Sequence, residues 1–119
     1  MAAARNAWLQ LTVETPVEPS LPICDPHHHF WDRPDGRYVV EDLLQDTRGG
    51  HRIVSTVFIE CRERWRKDGP EEMRPIGETE FVEGIVGPKG KHGDTAVAAG
   101  IVGFADLTLG AAVAPVLEA

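Results

Sequence analysis

The run Ile53-Val54-Ser55-Thr56-Val57-Phe58-Ile59 is β-branched or aromatic at every position but Ser55, with apolar residues on both of its alternating faces. A strand with one wet face alternates apolar and polar residues, whereas a strand covered on both sides does not, and double coverage is the habit of parallel sheets whose crossovers are helices. Two further runs have the same character. Pro22 to Phe30 follows a proline-stiffened stretch containing Pro16 and Pro19, and Ala96 to Phe104 follows a glycine-rich, charged loop at Gly87 to Thr95. Between them lie segments with helical spacing. Val39 and Val40 meet Leu43 and Leu44 before Gly49-Gly50 ends the run, and Val82 meets Ile85 and Val86 after the helix-start composition Gly69-Pro70-Glu71-Glu72. Leu109, Val113, Val116 and Leu117 share a last helical face, and with no capping glycine after it that helix is expected to continue beyond Ala119. Strand, helix, strand, helix, strand, helix predicts right-handed βαβ units and a parallel sheet. Ahead of them, residues 1–21 form a lead-in with a short helix expected around Ala4 to Leu11.

The chain has 119 residues, with 12 Lys and Arg against 19 Asp and Glu, a formal net charge of -7. Such an acidic balance argues against nucleic acid, whose phosphates attract basic surfaces. At 42 % hydrophobic and 26 % charged, the composition is that of a globular protein with no apolar run of membrane-spanning length. The first thirteen residues lack the continuous apolar core of a secretory signal, so a cytoplasmic location is expected. Cys24 and Cys61 fall at strand positions and are expected to be buried, reduced and unpaired.

Chemistry concentrates in Asp25-Pro26-His27-His28-His29-Phe30-Trp31-Asp32. On an extended strand Asp25, His27 and His29 project from one face, and two imidazoles closing on one side can grip a divalent ion. Asp25 could orient an imidazole or merely pair with a neighbouring strand. His28 points to the opposite face, as a packing residue. In parallel sheets ligands gather at the carboxyl ends of strands, and His27, His29, Glu60 and Asp106 all lie at or just past such ends.

These landmarks, with Phe58-Ile59-Glu60-Cys61, Asp68-Gly69-Pro70, Gly77-Glu78-Thr79-Glu80-Phe81-Val82 and Ala99-Gly100-Ile101-Val102-Gly103, resemble the amidohydrolase-related, metal-dependent TIM-barrel hydrolases. The similar branch is the one with pyrone dicarboxylate lactonase and sugar lactonases. The resemblance implies that residues 22–119 are the first three βα units of a (β/α)8 barrel, a fold that ordinarily takes roughly 250 residues. It implies a His-x-His pair, here His27 and His29, at a site for a divalent metal such as Zn or Mn. The family's other site residues come from later strands, which have no counterpart here, so the isolated chain is expected to be inactive. For a complete relative the implied reaction is opening of a lactone or related cyclic ester of a small organic acid. Decarboxylation of an aromatic or unsaturated acid is the enzymatic alternative, and a noncatalytic βαβ module that self-associates through its exposed strand edges is the other.

The remaining candidates rest on position. Glu60 and Asp106 are carboxylates at strand ends available for catalysis, although Asp106 could equally cap the last helix. Arg62, Arg64, Arg66 and Lys67 crowd one loop. An arginine fork there could hold a substrate carboxylate, and the resemblance implies Arg66 for it, since relatives commonly have a basic residue at that place; Trp65 beside it could wall the pocket. His51 and His92 are expected to be solvated.

Overall fold

The computed structural model describes the backbone of residues 2–119 and the side chains of 4–119; Met1 of the lead-in lies outside the described residues. The chain is mixed α/β. Its elements are α1 (Ala2–Leu9), β1 (Pro22–His28), β2 (Trp31–Arg33), β3 (Gly36–Tyr38), α2 (Val40–Thr47), β4 (Arg52–Ile59), α3 (Ile76–Val86), β5 (Lys91–His92), β6 (Thr95–Val102) and α4 (Ala114–Glu118). Short 3-10 turns follow α1, precede α3 at Glu71–Met73 and lead into α4 at Leu107–Val113.

The main sheet has the order β1-β4-β6-β5. β1, β4 and β6 are parallel, and each neighbour in the sheet is also the next long strand in the chain. Right-handed crossovers between strands laid down in this sequential order place α2 and α3 on one face. The core is there: Phe30, Phe58, Val82 and Val97 are almost wholly buried together with Val40, Leu43 and Val86. Ridge residues of two short helices thus cover one side of three strands.

On the opposite face the register aligns Val57 with Gly100 and Ile59 with Val102. No described helix covers this side, and Val102 is 48 % exposed. The radius of gyration is 16.9 Å, against about 13–14 Å for a globule of this length. An open sheet face and a lead-in with Trp8, Leu11, Val13 and Val17 exposed account for the difference.

Several local expectations change. The turn signal at Arg33-Pro34-Asp35-Gly36 is not a plain loop but the tip of a hairpin, with Trp31 opposite Tyr38. The loop after α3 contains β5, which pairs antiparallel with the start of β6 and so shields part of an edge expected to be bare. The expected last helix is broken: Gly110, at φ 60, kinks the 3-10 segment Leu107–Val113 that leads into a single short α4, and of its four apolar positions only Val113 and Val116 are buried. Cys24, expected inside, is exposed on edge strand β1. Both cysteines are free. No described helix is long and apolar enough to cross a membrane.

Candidate functional site

β1 carries its histidines to the carboxyl end of the sheet, where a bulge decides which way each one faces. Between Asp25 and His28 β1 advances three residues while β4 advances two, from Thr56 to Phe58. The extra residue breaks strict alternation. Asp25 therefore registers with Thr56 and does not continue the His29 face. Its Oδ1 accepts the backbone N–H of His27 at 3.1 Å, so it fixes the bulge and orients no imidazole ring.

His27 and His29 remain neighbours beyond the bulge, their rings 5.0 Å apart and nearly perpendicular. The Nδ1 of His29 donates to the carbonyl oxygen of Ile59 at 2.7 Å. A carbonyl oxygen only accepts, so the neutral ring carries its proton on Nδ1 and its lone pair on Nε2. This is the support that a metal-binding imidazole ordinarily receives from a neighbouring carbonyl. The pair fits as part of a divalent-ion site. Among the described residues, no group of three His, Cys, Asp or Glu comes together to complete it.

His28 turns to the helix-covered face. It is buried, its Nε2 is 2.9 Å from the Thr56 hydroxyl, and the same hydroxyl accepts the N–H of Ala98 at 2.8 Å. One threonine thereby ties β1, β4 and β6 together. Burial pushes the His28 imidazole below its ordinary value.

Glu60 follows Ile59 at the end of β4. Its backbone N–H donates to Val102 at 2.9 Å, and its half-buried carboxylate makes no hydrogen bond or ion pair among the described residues. The loop beyond is tightly held. Arg62 and Arg64 occupy the left-handed region at φ 63 and 55, each at a cost of order 1–3 kcal/mol. What over-determines them is Glu78 in the first turn of α3. It is 2 % exposed, and its Oε1 accepts the N–H groups of Cys61 at 2.8 Å and Glu63 at 2.9 Å. The Oε2 of Glu78 is buried without a partner. Glu63, also buried, pairs through Oε2 with Arg33 on β2 at 2.7 Å, and Arg64 reaches Asp32 at 3.0 Å, so the β2–β3 hairpin is tied to the same loop. Gly77 lets α3 approach: a Cβ there would lie 2.5 Å from the Arg64 carbonyl oxygen and the Arg66 nitrogen.

Trp65 and Asp106 meet in a cavity of about 340 Å³ also lined by Glu71, Glu72, Pro75, Phe104 and Leu109. The Trp65 and Phe104 rings stack with centroids 5.6 Å apart. Asp106 is engaged as a cap, accepting from the N–H of Thr108 at 3.0 Å and its hydroxyl at 2.5 Å. Arg66 does not join this wall; it is ion-paired with Glu80 on α3, which holds the Glu80 carboxyl below its usual range. His51 is exposed as expected, but His92 is half-buried, with Nε2 donating to the Val86 carbonyl oxygen at 2.9 Å. Glu63 and Glu78, the buried carboxylates that shape the loop, carry no local sequence signal. Glu78 holds backbone groups 15 or more residues away, and Glu63 pairs with distant Arg33 as well as with neighbouring Arg64 at 3.4 Å.

Comparison with protein-family models, curated proteins and solved structures returned no match.

Proposed function

We propose that this chain is the amino-terminal part of an amidohydrolase-like (β/α)8 barrel that opens a lactone or related cyclic ester of a small organic acid. The observation carrying the reading is the His27–His29 pair at the carboxyl end of β1, with His29 locked in the Nδ1–H tautomer by Ile59. The sequential parallel order of β1, β4 and β6 supports it, since neighbouring strands of such a barrel follow one another in the chain. His27 and His29 would hold a divalent ion, Zn or Mn, together with ligands from further strands. Such an ion supplies Lewis-acid polarisation of an ester carbonyl.

The chain's own groups have separable tasks. Glu60 has the free strand-end carboxylate and takes the proton of the attacking water, returning it to the ring oxygen as the C–O bond breaks to give the hydroxy acid. Asp106, engaged by Thr108, shapes the cavity wall. Trp65 packs against the substrate's apolar part, and Arg66 offers a fork to its carboxylate when it exchanges Glu80 for substrate. A second reading, a noncatalytic module that self-associates, is favoured by the free edge of β1 and the exposed face bearing Val102.

The test is the protein isolated from its source, its intact mass measured, assayed with Zn²⁺ or Mn²⁺ for lactone opening and for carbon dioxide release. Lactone opening abolished by His27→Ala and His29→Ala supports the proposal. Carbon dioxide release in its place transfers the site to decarboxylation. Absence of both activities overturns the enzyme reading and leaves the module.

A further inference from the structure

The opposite end of the sheet holds a second and larger concavity. β4 begins there at Arg52, β6 at Thr95, and α2 ends there at Thr47, with β5 alongside. Together with Pro19 of the lead-in these ends enclose a cleft of about 750 Å³. Its charged and titratable lining is Arg48, His51, Arg52, Lys91, His92 and Asp94.

Three full cations thus face one carboxylate, in a chain whose net charge is -7. Arg48, Arg52 and Lys91 make no ion pair among the described residues, and of the several cations in that condition these three are the ones that line the cleft. Three like charges lining one concave site with a single counter-charge repel one another, and the concavity focuses their field outward. A multiply charged anion relieves that repulsion and finds forked guanidinium donors on two residues. The volume exceeds what one inorganic anion fills and matches the range of small-molecule sites.

We propose that this cleft binds a small phosphorylated molecule carrying at least two negative charges, with Arg48, Arg52 and Lys91 as the cationic contacts. His92 serves as wall, since its Nε2 is committed to Val86. Asp94 sets a limit on charge excess and favours ligands that also carry a hydroxyl or amine donor. The cleft is separate from the His27–His29 end: seven residue steps along β4 amount to about 23 Å.

The experiment is calorimetric titration of the full chain with inorganic pyrophosphate in low-salt chloride buffer, with citrate as the carboxylate comparison. Saturable binding near one equivalent is expected, weakened about tenfold by Arg52→Ala and by Lys91→Ala. Arg52→Lys should restore part of the loss, and rising chloride should weaken binding. His27→Ala should leave it unchanged, which separates this site from the proposed hydrolase site. Arg52 and Lys91 are exposed, so the variants leave the core intact; amide shifts of the unmodified chain provide an independent check. Pyrophosphate-induced shifts confined to residues 47–54 and 91–95 support the proposal. Absence of saturable binding, shifts located elsewhere, or citrate binding as tightly as pyrophosphate overturns it.

Discussion

The Nδ1 of His29 lies 2.7 Å from the carbonyl oxygen of Ile59, thirty residues away on the next strand of the sheet. That contact fixes the ring's orientation and leaves Nε2 as the nitrogen free to bind. The neutral ring is therefore expected to show a pyridine-like ¹⁵N shift at Nε2 and a protonated shift at Nδ1. Zinc should move the Nε2 resonance, and His27→Ala should reduce the effect, because one imidazole grips an ion less firmly than two. Protonation at Nε2 in the neutral ring would contradict the geometry.

His28, one residue earlier, makes acid stability a property of the sheet. Its folded-state value lies below 6.5 because burial disfavours the charged form. In the interval between the folded value and 6.5 the unfolded chain binds more protons than the folded one, so stability rises with pH there and falls as pH drops below 6.5. Melting temperature should decline between pH 7.5 and 5.5. His28→Gln should flatten that decline while lowering the neutral-pH baseline by about 1–2 kcal/mol through the altered Thr56 contact. Equal pH dependence in both proteins would assign the effect to other groups.

The core strands were legible because a run that is β-branched and apolar on both alternating faces leaves a local mark, although only the face bearing Thr56 and Phe58 is buried: the run Ile53 to Ile59 and the observed β4 differ by one residue. Three- and two-residue strands leave no measurable period, which is why Trp31–Arg33 and Lys91–His92 read as loop. The bulge that removes Asp25 from the His29 face is a property of pairing with β4, not of β1 alone. The histidine pair could be read because its members are two apart on one strand. Glu78 could not: a glutamate in a helix's first turn ordinarily faces water, and here the loop carrying Cys61 and Glu63 folds over it.

Cys24 and Cys61 should differ sharply towards alkylation. Burial, reinforced by the nearby Glu78 carboxylate, pushes the Cys61 thiol up to about 12, and its Sγ rests 3.5 Å from the Phe30 carbonyl oxygen. At pH 8 a thiol with that value is ionised to about one part in ten thousand, and the thiolate is the reactive form. Iodoacetamide should modify exposed Cys24 in the native protein and both cysteines after denaturation, as peptide mass mapping would show. Modification of Cys61 at a rate similar to Cys24 in the native state would mean that the loop opens readily.

The loop that carries Trp65 and Arg66 depends on two adjacent residues for different reasons, and paired variants separate them. Gly77→Ala sets a methyl against the Arg64 carbonyl and the Arg66 nitrogen at 2.5 Å, backbone atoms that no rotamer change can move. Overpacking of this kind costs about 1–3 kcal/mol. Glu78→Ala instead strands the N–H groups of Cys61 and Glu63, and losing two hydrogen bonds to a charged acceptor should cost about 3–5 kcal/mol. Glu78→Gln keeps an acceptor oxygen, so it should be the mildest of the three. Denaturant titration should place the unsubstituted protein as most stable, followed in descending order by Glu78→Gln, Gly77→Ala and Glu78→Ala. If Glu78→Ala proved no worse than Glu78→Gln, the two backbone contacts would not be what holds Arg62 and Arg64 in their left-handed conformations.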